Sequence, residues 1–192
     1  MIQIFGNYIE EFQDDNEYLK LGFSPRSISL KQRWRTNGLS ADFIADYLQA
    51  FFTGQTNNAN APIPAQSKNA VKYIANELLE NAMKFGDDSS EFASKIAFHL
   101  YDNKLVFHVT NSLKPEYIDK FQSFIHKVLQ KDPMDLYFRR MEENANDENN
   151  RHSGLGILSM ICDYSAQVAW KFETTSNSPP ITLVTTMVSL DV

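Results

Sequence analysis

Hydrophobic residues between Ser67 and Phe85 recur with the 3.6-residue period of an α-helix. Gly86 follows directly and is suited to end the helix, because glycine readily adopts the left-handed conformation found after a last helical turn. The pattern predicts an amphipathic helix over residues 67–85, with a buried stripe formed by Val71, Ile74, Ala75, Leu78, Leu79, Ala82 and Phe85.

Two strand-like runs follow this helix, KIAFHLY and KLVFHVTN, and only Asp102-Asn103 separates them. Runs of β-branched and aromatic residues joined by two turn residues predict a β-hairpin. If Tyr101 pairs with Lys104, the hairpin has one wholly apolar face, made by the facing pairs Ile96 and Val109, Phe98 and Phe107, and Leu100 and Leu105.

The alternation along these strands also assigns three polar residues to a face. Asn111 falls on the apolar side, because side chains along a strand alternate with period two. His99 and His108 fall on the opposite side. Two histidines without a third ligand are typical of surface or packing positions, so we assign no protein metal centre to them.

The C-terminal half of the chain predicts three further helices and two strands. Helical spacing covers residues 116–129 and 134–145, with Pro133 in the first turn of the second helix. A polar loop is expected over residues 144–153, after which SGLGILSMICDY begins an apolar helix. The runs AQVAWKFET and ITLVTTMVSLDV predict the last strands. This order predicts an α+β fold, a two-layer α/β sandwich with a mixed or antiparallel sheet and helices on one face.

The region before residue 67 has weaker signals. Alternation over residues 28–34 favours a short strand. Asn37-Gly38 is a turn signal, and Ser40 then offers a side-chain oxygen to cap a helix over residues 39–52. That helix must bury a wide apolar face against the main core or a second copy of the chain, and the face consists of Phe43, Ile44, Tyr47, Leu48, Phe51 and Phe52.

The stretch GQTNNANAPIPAQ, residues 54–66, has the composition of an exposed connector. It predicts a division of the chain into two parts. Residues 1–66 would form an N-terminal elaboration, and residues 67–192 would form the domain that carries the chemistry.

Charge and composition restrict the partners. The 192-residue chain has a formal net charge of −6 and a pI near 5.2, so it has no basic excess for nucleic acid or anionic lipid. No stretch approaches the ~20 apolar residues needed to span a bilayer, and the N-terminus lacks the features of a signal peptide. The single cysteine, Cys162, fits a reducing compartment and a core position. We expect an unprocessed cytoplasmic protein.

Glu77 and Asn81 lie four residues apart on the first predicted helix and share one flank of its apolar stripe, whereas Glu80 points nearly away from that stripe. Asn81 offers Mg²⁺ an oxygen ligand without adding negative charge beside a triphosphate. Glu77 is placed to accept a proton from an attacking hydroxyl group. The same spacing occurs on ordinary solvated helix faces, so these residues alone do not identify a site.

The sequence SGLGIL, residues 153–158, is the second candidate element. Gly154 and Gly156 lack side chains, so phosphate oxygens can approach the backbone closely. The helix that begins there directs free N–H groups at an anion. Ser153 acting as an ordinary helix cap explains the same pattern without a ligand.

Together the two elements resemble a known superfamily. NELLENAMKFG, residues 76–86, resembles the N-box, and SGLGIL resembles the G2 box, of the ATP-binding superfamily shared by gyrase, histidine kinases and anti-sigma-factor serine kinases. The resemblance covers residues 67–192 and implies a Bergerat fold that binds ATP or ADP with Mg²⁺. It implies Glu77 as the general base and Asn81 as the Mg²⁺ ligand, and it implies further nucleotide contacts by Lys84, Phe85, Asn111, Ser153, Gly154, Leu155, Gly156 and Thr182.

The chain departs from this superfamily at the G1 box, which normally reads DxGxG. Here the strand ends in VTNSLKP, with Asn111 at the aspartate position and no glycine after it. Asn111 still offers a carbonyl oxygen to an adenine amino group, but without the charge. The segment before SGLGIL also lacks lid glycines and carries Arg151, His152 and Ser153. Turnover is therefore expected to be slow or absent.

With QRWRTNGLSADF near the N-terminus, the whole pattern is similar to a SiaB-like branch of bacterial partner-switching regulators. This resemblance implies a serine or threonine kinase of a STAS-domain antagonist protein. Two alternatives stay open: a non-catalytic module whose protein binding is gated by nucleotide, and an interaction domain that has lost nucleotide. A histidine kinase is disfavoured, because neither His126 nor His152 lies in a separate dimerisation helix. The apolar helix over residues 39–52 also favours a homodimer.

Overall fold

The computed structural model describes residues 1–10, 17–23, 30–55, 65–87, 89–101, 104–146, 154–175 and 179–191. Its strands are β1 (Ile2–Phe5), β2 (Glu17–Phe23), β3 (Ser94–Tyr101), β4 (Lys104–Ser112), β5 (Gln167–Thr174) and β6 (Thr182–Asp191). Its helices are α1 (Leu30–Gln55), α2 (Ala65–Phe85), α3 (Pro115–Gln130), α4 (Pro133–Asn146) and α5 (Leu155–Tyr164). Ser153, the predicted turn at Asp102-Asn103 and most of the predicted connector and polar loop lie outside the described residues.

The strands form one six-stranded sheet in the order β1-β5-β6-β4-β3-β2, and every neighbouring pair is antiparallel. On one side of the sheet, α2 packs on β4 and α5 packs on β5, while α1 packs along α2. The predicted α+β sandwich is confirmed. Of the two sheet types considered, the antiparallel one is present.

The central hairpin has the predicted register. Tyr101 lies opposite Lys104, and the three apolar pairs face one another as expected. The rings of Phe98 and Phe107 pack with their centroids 5.1 Å apart. Asn111 continues the same face two residues beyond Val109 and is buried. The hairpin therefore gives the helices an apolar floor that ends in one polar side chain.

His99 and His108 lie on the opposite face of the hairpin, where both are buried. Their rings meet edge to face with centroids 5.8 Å apart. The segment after β1 covers His108: the ring of Tyr8 packs on it, and His108 Nε2 donates a hydrogen bond to the Ile9 carbonyl at 2.6 Å. The ring of Tyr18, in β2, stacks on His99. The two histidines are therefore packing residues of the second face of the sheet.

Two edge strands come from the part of the chain that the sequence left unassigned. β1 pairs with β5 at one edge of the sheet, and β2 pairs with β3 at the other. In β2, Leu19 lies opposite Phe98 and Leu21 lies opposite Ile96, so its apolar residues extend the helix-facing side. These strands were missed because edge strands are short and half-exposed, and their pattern is completed only by the neighbouring strand.

The prediction for residues 28–38 is wrong over its described part. α1 begins at Leu30 instead of forming a strand, and it runs through Asn37-Gly38 without the predicted turn. Ser40 does not cap a helix start; its Oγ donates to the Thr36 carbonyl at 2.8 Å, one turn back in the same helix. The physical reason is tertiary, because α1 packs along α2 and this burial outweighs the local turn and strand propensities.

The remaining helices agree with the sequence pattern. α2, α3, α4 and α5 begin within two residues of the predicted starts, and Pro133 lies in the first turn of α4 as expected. α2 lies at the centre of the main core, with α1 on one side and β3 and β4 on the other. α3 and α5 form a second core on β5 and β6, which includes Ile125, Val128, Ile157, Leu158, Trp170 and Phe172.

Among the described residues, no helix combines the length and apolar character that crossing a bilayer requires. Cys162 lies on α5 and is half-buried, and burial is the main cause that raises the pKa of its thiol. The thiol is therefore less reactive than a free cysteine at neutral pH.

Candidate nucleotide site

A cavity of about 490 Å³ lies between the sheet and the helices, in the volume range of small-molecule sites. It is bounded by the C-terminal half of α2, by β4 and β6, by one face of α3 and by the beginning of α5. Its lining residues are Leu78, Asn81, Ala82, Lys84, Phe85, Val109, Asn111, Leu113, Tyr117, Lys120, Phe121, Phe124, Arg140, Gly154, Gly156, Ile157, Val184 and Thr186.

The cavity brings together most of the residues that the sequence singled out. Six of them line it, and they come from α2, β4 and the start of α5: Asn81, Lys84, Phe85, Asn111, Gly154 and Gly156. Glu77, Leu155 and Thr182 are not among the lining residues, and Ser153 lies outside the described part of the chain.

The deep end of the cavity is formed by the two central strands. Asn111 and Thr186 are its buried polar side chains there, beside Val109 and Val184. Asn111 Nδ2 donates to the Ser112 carbonyl at 2.8 Å, which leaves its Oδ1 as the acceptor for a ligand. An apolar slot with one acceptor and one hydroxyl group suits a flat base that carries an amino group.

Thr186 lines the cavity, whereas Thr182, the threonine that the resemblance implies as a nucleotide contact, is not among the lining residues. Both lie on the helix-facing side of β6, but Thr182 pairs with Thr174 near the sheet end, and its carbonyl accepts a hydrogen bond from the Leu113 N–H at 2.9 Å. Thr186 lies opposite Val109 in the pocket. No sequence signal separates the two threonines, because they differ only in their register against β4.

The backbone after Asn111 is hydrogen-bonded to the end of α2. Gly86 and Leu113 form an antiparallel bridge, and the Asp87 N–H donates to the Ser112 carbonyl at 3.2 Å. The Lys114 N–H donates to the Phe85 carbonyl at 3.4 Å. The segment that follows β4 is therefore held in extended form against the end of α2.

The cavity lining also includes three cations, Lys84, Lys120 and Arg140. Arg140 lies beside Gly154, with its Nε 3.7 Å from the place that a Cβ atom on Gly154 would occupy. Gly154 has a φ of +83° and is the N-cap of α5, so the first N–H groups of that helix begin at the cavity lining. The sequence reading missed Lys120 and Arg140. Lys120 had a signal, because it lies on the same face of α3 as the cavity residues Tyr117, Phe121 and Phe124.

Glu77 lies beside the cavity, with its carboxylate against the backbone of Gly156. A Cβ atom at position 156 would overlap Glu77 Oε2, so only glycine allows this contact. Burial is the main cause that raises the pKa of Glu77; Glu80 raises it further and Lys84 opposes the shift. Such a carboxyl group is better suited to accept a proton near neutral pH than an exposed one.

Glu80 is directed elsewhere. Its Oε1 accepts a hydrogen bond from Asn76 Nδ2 at 2.6 Å on the same helix. Within the described ranges, no group of three His, Cys, Asp or Glu side chains converges on a metal position. A Mg²⁺ ion held by Asn81 would therefore take the rest of its ligands from phosphate oxygens and water, as this ion commonly does.

Comparisons with known proteins show a likeness in structure and none in sequence. No protein-family model matches the chain, and no curated protein sequence matches it either. A chain in the crystal structure of the SiaB-SiaC complex from Pseudomonas aeruginosa is similar in structure, with a TM-score of 0.57 and 13% sequence identity. The match covers 90% of this chain and 89% of that chain. At this identity the likeness establishes a shared α+β fold over nearly the whole length of both chains.

Proposed function

We propose that this protein is an ATP- or ADP-binding regulator of a bacterial partner-switching system and acts as a serine or threonine kinase of a STAS-domain antagonist. The observation that carries the proposal is the cavity, whose lining combines apolar residues and the buried Asn111 with three cations and the N-cap glycine of α5. This combination suits a nucleotide, with its base against the apolar residues and its phosphates at the helix terminus.

The donor set fits Mg²⁺ and a triphosphate. Asn81 lines the cavity and offers one neutral oxygen, while Lys84 lies one turn further along α2 on the same wall. When bound, Mg²⁺ would neutralise part of the phosphate charge. Lys84 and the N–H groups of α5 would hold the phosphates in place, and Asn111 would orient the base by accepting from its amino group.

Glu77 supplies the chemistry in this proposal. It would accept the proton from the partner's serine or threonine hydroxyl while that oxygen bonds to the γ-phosphorus. The bond from the γ-phosphorus to the bridging oxygen breaks, and ADP leaves with that oxygen. The contact between Glu77 and Gly156 supports this role, because it holds the carboxylate beside the phosphate-facing end of α5.

The fold likeness supports a protein partner. The similar chain was crystallised in a SiaB-SiaC complex. A chain with the same fold and a cavity of small-molecule size suits a regulator whose contact with a second protein depends on bound nucleotide.

A homodimer is the second assembly that we propose. Leu39 and Phe43 project from α1 with 61% and 50% of their surface exposed, one turn apart on the same face. Sedimentation of the purified chain and of Phe43→Ser tests this assembly: a dimer that dissociates in the variant supports it, and a monomeric parent contradicts it.

A non-catalytic module gated by nucleotide is the alternative, and one observation favours it. The segment after Asn111 is held against Phe85 and Asp87 by backbone hydrogen bonds. A kinase that closes over its substrate needs mobile loops around the site. The held segment suits a protein that binds nucleotide with slow turnover or none.

Calorimetric titration with ATP and ADP, with and without Mg²⁺, tests nucleotide binding. Asn81→Ala should lower the nucleotide affinity measured with Mg²⁺ about 10- to 100-fold, because one charge-assisted contact is lost. Asn76→Ala is the matched control, because Asn76 lies on the same helix but bonds to Glu80. Equal affinity of Asn81→Ala and parent with Mg²⁺ present contradicts the ligand role.

Phosphate transfer is then measured with labelled ATP and candidate STAS-domain proteins. Label on a serine or threonine of the partner supports the kinase. Binding of ATP without transfer, combined with partner affinity that changes between ATP and ADP, favours the gated module. A parent that binds no nucleotide contradicts both.

A further inference from the structure

We infer that Arg140, on α4, is a phosphate-binding residue of the nucleotide site and is released for this role from an ion pair with Glu143. The inference rests on the proposed nucleotide site and deepens it. It adds a cation from a helix outside the two sequence elements that resemble the ATP-binding superfamily, and neither the pattern of α4 nor its charge indicated it.

The position of Arg140 carries the argument. Its side chain lines the cavity, and its Nε lies 3.7 Å from the place that a Cβ atom on Gly154 would occupy. The guanidinium group therefore lies beside the first turn of α5. Its neighbour Arg139 is exposed and is not among the lining residues.

The present partner of Arg140 is weakly held. Arg140 Nη1 donates to Glu143 Oε2 at 2.9 Å, but the two side chains are 35% and 55% exposed. Pairs of this kind, three residues apart on a partly exposed helix surface, contribute little to stability because solvent screens them. A phosphate in the cavity offers Arg140 a bidentate contact that is shorter and stronger.

The chemistry of the three cations also distinguishes their roles. Lys84 and Lys120 are point charges on flexible stems, which attract phosphate without fixing its orientation. Arg140 presents a planar fork that fixes two phosphate oxygens at once. Arg140 should therefore contribute to the affinity for phosphorylated ligands and contribute nothing to the affinity for the base and sugar.

The test compares the parent with Arg140→Gln, Arg139→Gln and Glu143→Gln, using ATP, ADP and adenosine as probes. Competition with a fluorescent ADP analogue gives each affinity. Arg140→Gln should bind ATP and ADP about tenfold more weakly and adenosine unchanged, since one charged hydrogen-bonding group is lost. Arg139→Gln should match the parent. Glu143→Gln should bind ATP more tightly, because Arg140 no longer has a competing partner.

Each other outcome has a definite meaning. If Arg140→Gln binds ATP like the parent, the phosphate-binding role is wrong while the nucleotide site stands. If it loses affinity for adenosine and ATP equally, Arg140 acts through the fold and the inference is also wrong. An unchanged or lower ATP affinity of Glu143→Gln contradicts the release from the ion pair. If the parent itself binds none of the three probes, the proposed function fails and the inference fails with it.

Discussion

Glu77 and Glu80 lie three residues apart on α2 and meet different surroundings. The carboxylate of Glu77 packs on Gly156, whereas Glu80 accepts a hydrogen bond from Asn76. Glu77→Gln should lower phosphate transfer about 10²- to 10⁴-fold, the usual contribution of a general base, with little change in ATP affinity. Glu80→Gln is the matched control and should transfer at the parent rate. A Glu77→Gln protein with the parent's rate removes the general-base role.

The raised pKa of Glu77 also has a consequence for stability. Because burial raises the pKa above its ordinary value of 4.5, the folded state holds the proton more tightly than the unfolded state. The associated stability is fully present below pH 4.5 and is lost as the pH rises through the folded pKa. Glu77→Gln should therefore raise the Tm at pH 7 and leave it unchanged at pH 4, as measured by calorimetry at both pH values.

Asn111 is a second residue where the environment decides the outcome of a substitution. Asn111→Asp would strengthen the acceptor for an adenine amino group, but it removes the donor to the Ser112 carbonyl in a buried place. We expect a loss of about 1–3 kcal/mol in the nucleotide-free protein and a sharper preference for ATP over GTP. Thermal melts and titrations with both nucleotides test this prediction. An unchanged ATP to GTP ratio means that Asn111 does not read the base.

At the scale of elements, α2 and α5 meet where Glu77 contacts Gly156, and the two glycines at the start of α5 should respond differently to substitution. Gly156→Ala should keep the fold, since alanine favours a helix by up to about 1 kcal/mol and the overlapping Glu77 side chain can move. Phosphate transfer should fall, because Glu77 is displaced. Gly154→Ala should instead lower the Tm, because a φ of +83° costs other residues about 1–2 kcal/mol. Melting curves and transfer rates of the two variants separate these effects.

At the scale of the whole molecule, the N-terminal region contributes to one common core. α1 buries Ala41, Ile44, Ala45 and Leu48 in the cluster that contains α2, and β2 completes the sheet beside β3. Burial of each larger aliphatic side chain contributes about 1.5–3 kcal/mol, and whole domains are stable by only about 5–15 kcal/mol. A chain of residues 67–192 alone should therefore lose cooperative unfolding.

A chain that lacks only residues 1–4 is the control, because it removes most of one exposed edge strand. It should melt near the parent temperature by circular dichroism. Cooperative melting of residues 67–192 would mean that this part folds independently, in agreement with the boundary at residue 66 that the sequence suggested.

The sequence was sufficient wherever the physical signal is local. Apolar residues that recur every 3.6 positions predicted α2. Side chains that alternate between the two faces of a strand predicted the hairpin register and placed Asn111 on the helix-facing side. Six of the residues predicted to contact nucleotide line one cavity, because they lie on α2, on β4 of the hairpin and at the start of α5. A helix face and a strand face are properties of consecutive residues, so their side chains can be assigned before the fold is known.

The tertiary structure decided what depends on residues far apart in the chain. α1 continues through Asn37-Gly38 because it packs along α2, where Asn37 is buried, although the local pattern favoured a strand and a turn. Thr186 reaches the cavity and Thr182 does not, because the pairing of β6 with β4 sets which threonine faces Val109. Arg140 lines the cavity because α4 packs on α5, which brings its side chain beside Gly154. In each case the outcome depends on the free energy of packing between separate elements. The pattern of consecutive residues does not show which elements will pack together.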